Sequence, residues 1–135
     1  MKIIFAILTI ILLLGGCSSD DWRRTDKVEI ITELESPDGT HVSTVFFCSG
    51  GGAAGYTYNN VNLRKTGDDL DQRDFLLGKY NWHSFKDINI TWIDSATLQV
   101  SYRWNGTNPE HRSKNNDRVV SKDGVSIRYI LNDVE

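Results

Sequence analysis

Gly50-Gly51-Gly52-Ala53-Ala54-Gly55 satisfies the G-x-G-x-x-G spacing that cradles a pyrophosphate, and strand-like sequence precedes it. That chemistry also needs a helix to begin at the glycines, so that its N-terminal amides meet the phosphates. The next residues are Tyr56-Thr57-Tyr58-Asn59-Asn60-Val61, which prefer strand and turn. The run therefore reads as a bent connection between strands, with Ser49, Gly50, Gly51, Gly52, Gly55, Tyr56 and Tyr58 as an adaptable contact surface. Ser49 lies in Phe47-Cys48-Ser49-Gly50, without the glycine two places earlier that a nucleophile elbow uses. His41, His83 and His111 are the available bases, and no spacing ties them to Ser49 or Cys48. No catalytic residue is assigned; a small hydrolase using Ser49 or Cys48 stands as the alternative to a binding role. The chain has no His-x-x-x-His or Cys-x-x-Cys, and Asp68, Asp69, Asp71 and Asp74 lack the spacing of a calcium loop. No metal or cofactor is expected. Trp92 and Trp104 fall on apolar strand faces, so Trp82, in Tyr80-Asn81-Trp82-His83, is the tryptophan expected at a contact surface.

These residues need a scaffold, and the N-terminus shows which part of the chain supplies it. Met1-Lys2 is a short positive start, and Ile3 to Leu14 is apolar apart from Thr9. That run is shorter than the roughly 20 apolar residues needed to cross a bilayer and fits the middle of an export signal. Leu14-Gly15-Gly16-Cys17 comes after it, and then Ser18-Ser19-Asp20-Asp21. It resembles the bacterial lipobox, a large aliphatic residue, two small residues and a cysteine whose thiolate accepts diacylglycerol. The resemblance implies cleavage after Gly16, acylation of Cys17 (palmitate and related chains) and stable anchoring in a membrane, because more than one chain is attached. Ser18 after the cysteine implies the periplasmic face of the outer membrane where the organism has two membranes. Residues 1–16 are then the signal peptide, 17–26 a lipidated tether, and 27–135 the domain.

With Cys17 acylated, Cys48 has no partner for an internal disulfide, and the domain must stand on its apolar core. Cys48 is in phase with Val42, Thr44 and Phe46, which favours a small buried residue over a reactive thiol or an intermolecular link. The chain has 15 basic and 18 acidic residues, a net charge of −3 that argues against nucleic acid as a partner. Only two prolines among 135 residues, with aromatics throughout the mature part, argue against disorder.

The dominant hydrophobic period is two. Val28, Ile30, Thr32 and Leu34 alternate with Glu29, Ile31, Glu33 and Glu35, which predicts a half-buried strand with acids outward. Ser36-Pro37-Asp38-Gly39 is a turn sequence, and His41 to Cys48 returns as the second strand of a hairpin. Tyr56 to Lys65 predicts a further strand, with Val61 and Leu63 on one face and Tyr56 and Tyr58 on the other. Ile88, Ile90 and Trp92 pair across Asp94-Ser95-Ala96 with Leu98, Val100, Tyr102 and Trp104. Arg118 to Val120, the turn Ser121 to Gly124, and Val125 to Leu131 predict a third hairpin. Residues 66–87 interrupt the pattern, with room for a short helical turn, and residues 105–117 read as a loop. The expectation is an all-β, single small antiparallel domain of about seven strands, either a sandwich or an open barrel. Four or more propeller blades of roughly 40 residues do not fit in this length.

The lipobox, Ser36-Pro37-Asp38-Gly39, Val45-Phe46, Gly52-Ala53-Ala54-Gly55-Tyr56 and Val61-Asn62-Leu63-Arg64 together resemble a loose family of small, uncharacterised bacterial lipoproteins. Ser49-Gly50-Gly51 here stand between Cys48 and Gly52, where that pattern has cysteine directly before glycine. The resemblance implies an address and no activity. The reading that results is a membrane-anchored binding module of the cell envelope with a protein partner, an inhibitor or immunity-type protein being one form of it.

Overall fold

A computed structural model describes residues 26–78, 85–104, 106 and 118–132. Among these residues seven strands occur in chain order: β1 (Lys27–Glu35), β2 (His41–Gly50), β3 (Tyr56–Lys65), β4 (Phe85–Asp94), β5 (Thr97–Trp104), β6 (Ser121–Lys122) and β7 (Val125–Leu131). They form two sheets, β1-β2-β3 and β4-β5-β7-β6. Val45, Val61 and Leu63 of the first sheet share one core with Ile90, Leu98, Val100, Tyr102, Val125 and Ile127 of the second. Two sheets facing each other across one core make a sandwich, which settles the choice against a barrel.

Turn chemistry explains the first hairpin. Ser36 and Thr40 hydroxyls both donate to Asp38 Oδ1, at 2.7 and 2.8 Å, and the Gly39 amide donates to the Ser36 carbonyl with φ at +72°. Asp123 and Gly124 close β6 onto β7 with φ at +49° and +80°. That geometry is the primed two-residue turn that Asp-Gly favours. The third hairpin is therefore shifted from its expected place: Ser121 and Lys122, expected in the turn, are the strand, and the turn is the two residues after them.

Three further features differ from the sequence reading. β5 and β7 run parallel, with Thr97 opposite Ser126 and Tyr102 opposite Leu131, so one pairing departs from the antiparallel plan. In β1 the register shifts between Ile30 and Thr32, where an extra residue, Ile31, is inserted. Directly paired residues share a face, so Val28 and Ile30 lie with Cys48 and Phe46, whereas Thr32 and Leu34 lie with Val45 and Ser43. A bulge thus breaks the single apolar face expected for 28, 30, 32 and 34. Finally, residues 66–78 hold turns and bends without a helix, and Phe85 to Asp87 belong to β4.

The 66–78 segment covers the outer face of the first sheet. Leu70 and Phe75 pack on a second cluster of Phe46, Cys48 and Tyr58, which leaves Cys48 fully buried as expected. The chain then passes the edge of β3 and delivers Leu76 and Leu77 into the main core. Two buried asparagines hold this path. Asn60 donates to the Leu77 carbonyl at 2.8 Å and accepts from the Leu77 amide at 3.0 Å; Asn62 donates to the Asp74 carbonyl at 2.7 Å. Buried amides survive in this core because each serves backbone groups that have left the sheet ladder. The Tyr129 hydroxyl, raised in pKa by burial, donates to the Val119 carbonyl at 2.6 Å with the Leu76 carbonyl 3.1 Å away, and ties the segment to the second sheet.

Candidate functional site

The glycine run forms the tip of the β2–β3 hairpin. Gly52–Ala54 make a single 3-10 turn, with φ at +83° for Gly51 and +58° for Gly52. Residues 51–55 are exposed. β3 starts at Tyr56, where a phosphate-binding glycine loop would start a helix. The tip is a bent connection, as its sequence suggests.

Behind the tip sits a polar cluster. The Tyr56 hydroxyl donates to Asp26 Oδ2, and the Cys48 sulfur lies 3.6 Å from the same oxygen. Asp26 Oδ1 is buried without a hydrogen-bond partner among the described residues. A Cβ at Gly50 would collide with this carboxylate and lie 2.8 Å from the Tyr56 hydroxyl, so only glycine leaves room for it. Asp26, expected at the end of the tether, is therefore bonded into the domain. Ser49 is half-buried between Lys27 and Thr57.

Tyr58 does not contribute to an exposed surface. It is 7% exposed, its hydroxyl donates to the Gln72 carbonyl, and its ring meets Phe46 and Phe75 edge-on. The alternation that placed it beside Tyr56 is right, but residues 66–78 cover that face. Trp82 lies outside the described residues, as do Cys17, His83 and His111. His41 stands at the opposite end of β2 from Cys48 and Ser49, seven residues from the thiol and so about 24 Å along the strand. Its imidazole is engaged instead with the Asp123 carbonyl at 3.1 Å and the Thr40 hydroxyl at 2.9 Å. Among the described residues, no three His, Cys, Asp or Glu side chains converge as metal ligands.

β1 carries three of the six large apolar side chains that stand exposed among the described residues. Ile30, Ile31 and Leu34 are 54%, 55% and 38% exposed, on an edge strand whose residues are exposed on both faces after Val28. Beside Ile31 a cavity of about 320 Å³ opens between the sheets, lined by Val45, Asn59, Lys86, Asp87 and Ile88. The Trp92 indole N–H donates to the Leu34 carbonyl at 3.2 Å, closing the far end of the edge. On the outer face the Arg64 guanidinium reaches Glu33 at 2.9 Å and the Thr44 hydroxyl at 2.7 Å, a polar rung across all three strands. These hydrogen bonds hold the Glu33 carboxyl below its ordinary pKa, Arg64 contributing most and Thr44 next. The alternation in the sequence predicts a half-buried β1, and the structure corrects it. The signal that pattern passes over is the Ile30-Ile31 doublet, which cannot sit on one face of an unbroken strand.

Compared with known proteins, the chain matches no family model, no curated protein and no solved structure.

Proposed function

We propose that this chain is a lipid-anchored, non-catalytic interaction module of a bacterial cell envelope, akin to the small lipoproteins that its lipobox and Ser-Pro-Asp-Gly turn resemble. The observation that carries the interaction reading is the exposure of Ile30, Ile31 and Leu34 along an edge strand. Charges and a bulge blunt part of β1, but it is long, uncovered among the described residues and shows aliphatic side chains at its centre, and such an edge is a template for pairing with another chain. Leu14-Gly15-Gly16-Cys17 supports the address, with Ser18 favouring the outer membrane where there are two. A protein that blocks an envelope enzyme, as inhibitors and immunity proteins do, is the concrete form we favour, because the exposed β1 edge offers a surface for a protein partner.

The test is direct. Cells fed radiolabelled palmitate should label the chain, Cys17→Ala should abolish the label, and the labelled protein should sediment with membranes. Detergent-extracted chain should then bring down a specific envelope neighbour, identified by mass spectrometry. An unacylated chain starting at Met1 would remove the address; no specific neighbour under any growth condition would remove the interaction reading.

A further inference from the structure

We propose that the outer edge of β1, from Lys27 to Glu33, accepts an extended segment of a partner protein as a fourth strand of the first sheet, and that this segment is aliphatic at its centre and basic at its ends. The inference rests on the interaction reading above and names the partner's chemistry. Strand addition draws affinity from main-chain hydrogen bonds and specificity from pockets that take alternate side chains. β1 offers both. Among the described residues its edge is unpaired on the side away from β2, and the cavity beside Ile31 lies at the strand's midpoint, floored by Ile31, Val45 and Ile88. The apolar part of that lining suits a large aliphatic side chain; Lys86 at the same cavity disfavours a cation there, and Asp87 beside it is already matched by Arg103.

The ends of the strand carry the opposite preference. β1 holds Glu29, Glu33 and Glu35 against one base, Lys27. Glu33 is matched by Arg64, whereas Glu29, within the accepting edge, and Glu35, two residues past its end, have no ion pair among the described residues. Cations at the ends of an incoming segment complement these two carboxylates. A second copy of the same chain is a poorer occupant. It would bring an equally acidic strand alongside, and the bulge at Ile31 switches side-chain phase halfway along each edge.

The full chain in detergent micelles is titrated with two short fluorescein-labelled peptides, one with isoleucine at its centre and lysines at its ends, the other with glutamates in place of the lysines. Fluorescence anisotropy and hydrogen exchange are the readouts. The basic peptide should bind, protect the β1 amides, and bind about tenfold more tightly than the acidic one, as two exposed pairs turned from attractive to repulsive imply. The double variant Glu29→Lys, Glu35→Lys, at exposed positions, should reverse that preference, and Ile31→Asp should weaken both peptides. Equal affinity for the two peptides, protection elsewhere than β1, no binding, or a dimer in sedimentation that buries β1 overturns the proposal. A photo-crosslinker placed in turn at Thr32, Ala53 and Asp94 of the anchored chain in cells separates this failure from that of the interaction reading. Specific crosslinks from Ala53 or Asp94 alone would overturn the β1 edge and keep a binding module; crosslinks from none would overturn both.

Discussion

Asn60→Ala should be among the most damaging single substitutions in this domain, although it removes no apolar contact. The Asn60 side chain is fully buried and serves three backbone groups: the Leu77 carbonyl, the Leu77 amide and the Val61 amide, all within 3.0 Å. Alanine leaves each without its partner, at about 1–3 kcal/mol per buried group. Water entering the vacated space recovers part of that, so the expected loss is about 3 kcal/mol, against a total stability of roughly 5–15 kcal/mol for a domain. For a domain of this size that corresponds to a fall in Tm of about 12 °C. Urea unfolding of the detergent-solubilised chain, followed by tryptophan fluorescence, gives the magnitude, and hydrogen exchange at the Leu77 amide gives the location. Asn60→Asp adds a sign. Its carboxyl keeps the Val61 and Leu77 amide bonds, but complete burial and the facing Leu77 carbonyl favour the protonated form. Its folded pKa therefore lies above the unfolded one, and the variant should lose stability as pH rises above about 4, the unfolded carboxyl value. A loss below about 1 kcal/mol for Asn60→Ala at an unchanged m-value, with Leu77 still protected, would refute the claim that this amide holds the 66–78 segment in place.

Other perturbations have equally definite outcomes. The Glu33 carboxyl titrates below its ordinary 4.5 in the folded state, so its contribution is present above that pH and is lost as pH falls through the folded value; Glu33→Gln should flatten the acid limb of a stability–pH curve. Gly51→Ala places a Cβ 2.6 Å from the Tyr56 ring at a φ of +83°, and should cost at least about 1–2 kcal/mol in thermal unfolding, whereas Gly52→Ala, with open space around it, should cost only the backbone part. Ile31→Ser should change stability by less than about 0.5 kcal/mol while Val45→Ala, 2% exposed in the core, should lose about 2–3 kcal/mol. Equal losses at these two positions would mean that β1 is covered in solution.

Much of the fold is legible in the residues because the strands that line the core alternate cleanly. Leu98, Val100 and Tyr102, or Val61 and Leu63, can face only one way, and the Pro-Asp-Gly and Asp-Gly turns announce where the chain reverses. Period-two reasoning fails at Ile31 because one inserted residue inverts every later side chain, and a bulge of this kind has no composition of its own. It also fails for Leu76 and Leu77. They reach the core from an irregular segment whose placement depends on Asn60 and Asn62, residues that read as ordinary turn-formers until their long-range partners are known. The parallel pairing of β5 with β7 is likewise a matter of which strand arrives between which neighbours, and side-chain alternation carries no information about strand direction. At the candidate site, the glycine bend is legible, whereas the exposure of the β1 edge depends on where the neighbouring strands stop.

That β7 lies between β5 and β6 has a bearing on when the domain closes during synthesis. A parallel neighbour must be delivered by a long crossover, and closing such a loop is slow compared with forming a hairpin. The strand that completes the interior of the second sheet is also the last one to be synthesised among those described. A nascent chain held short of Val125 lacks both that residue and Ile127, and leaves Leu98 and Val100 without their β7 neighbours. The second sheet therefore closes only once its C-terminal strand is present, and any truncation before Val125 should leave this half of the core open.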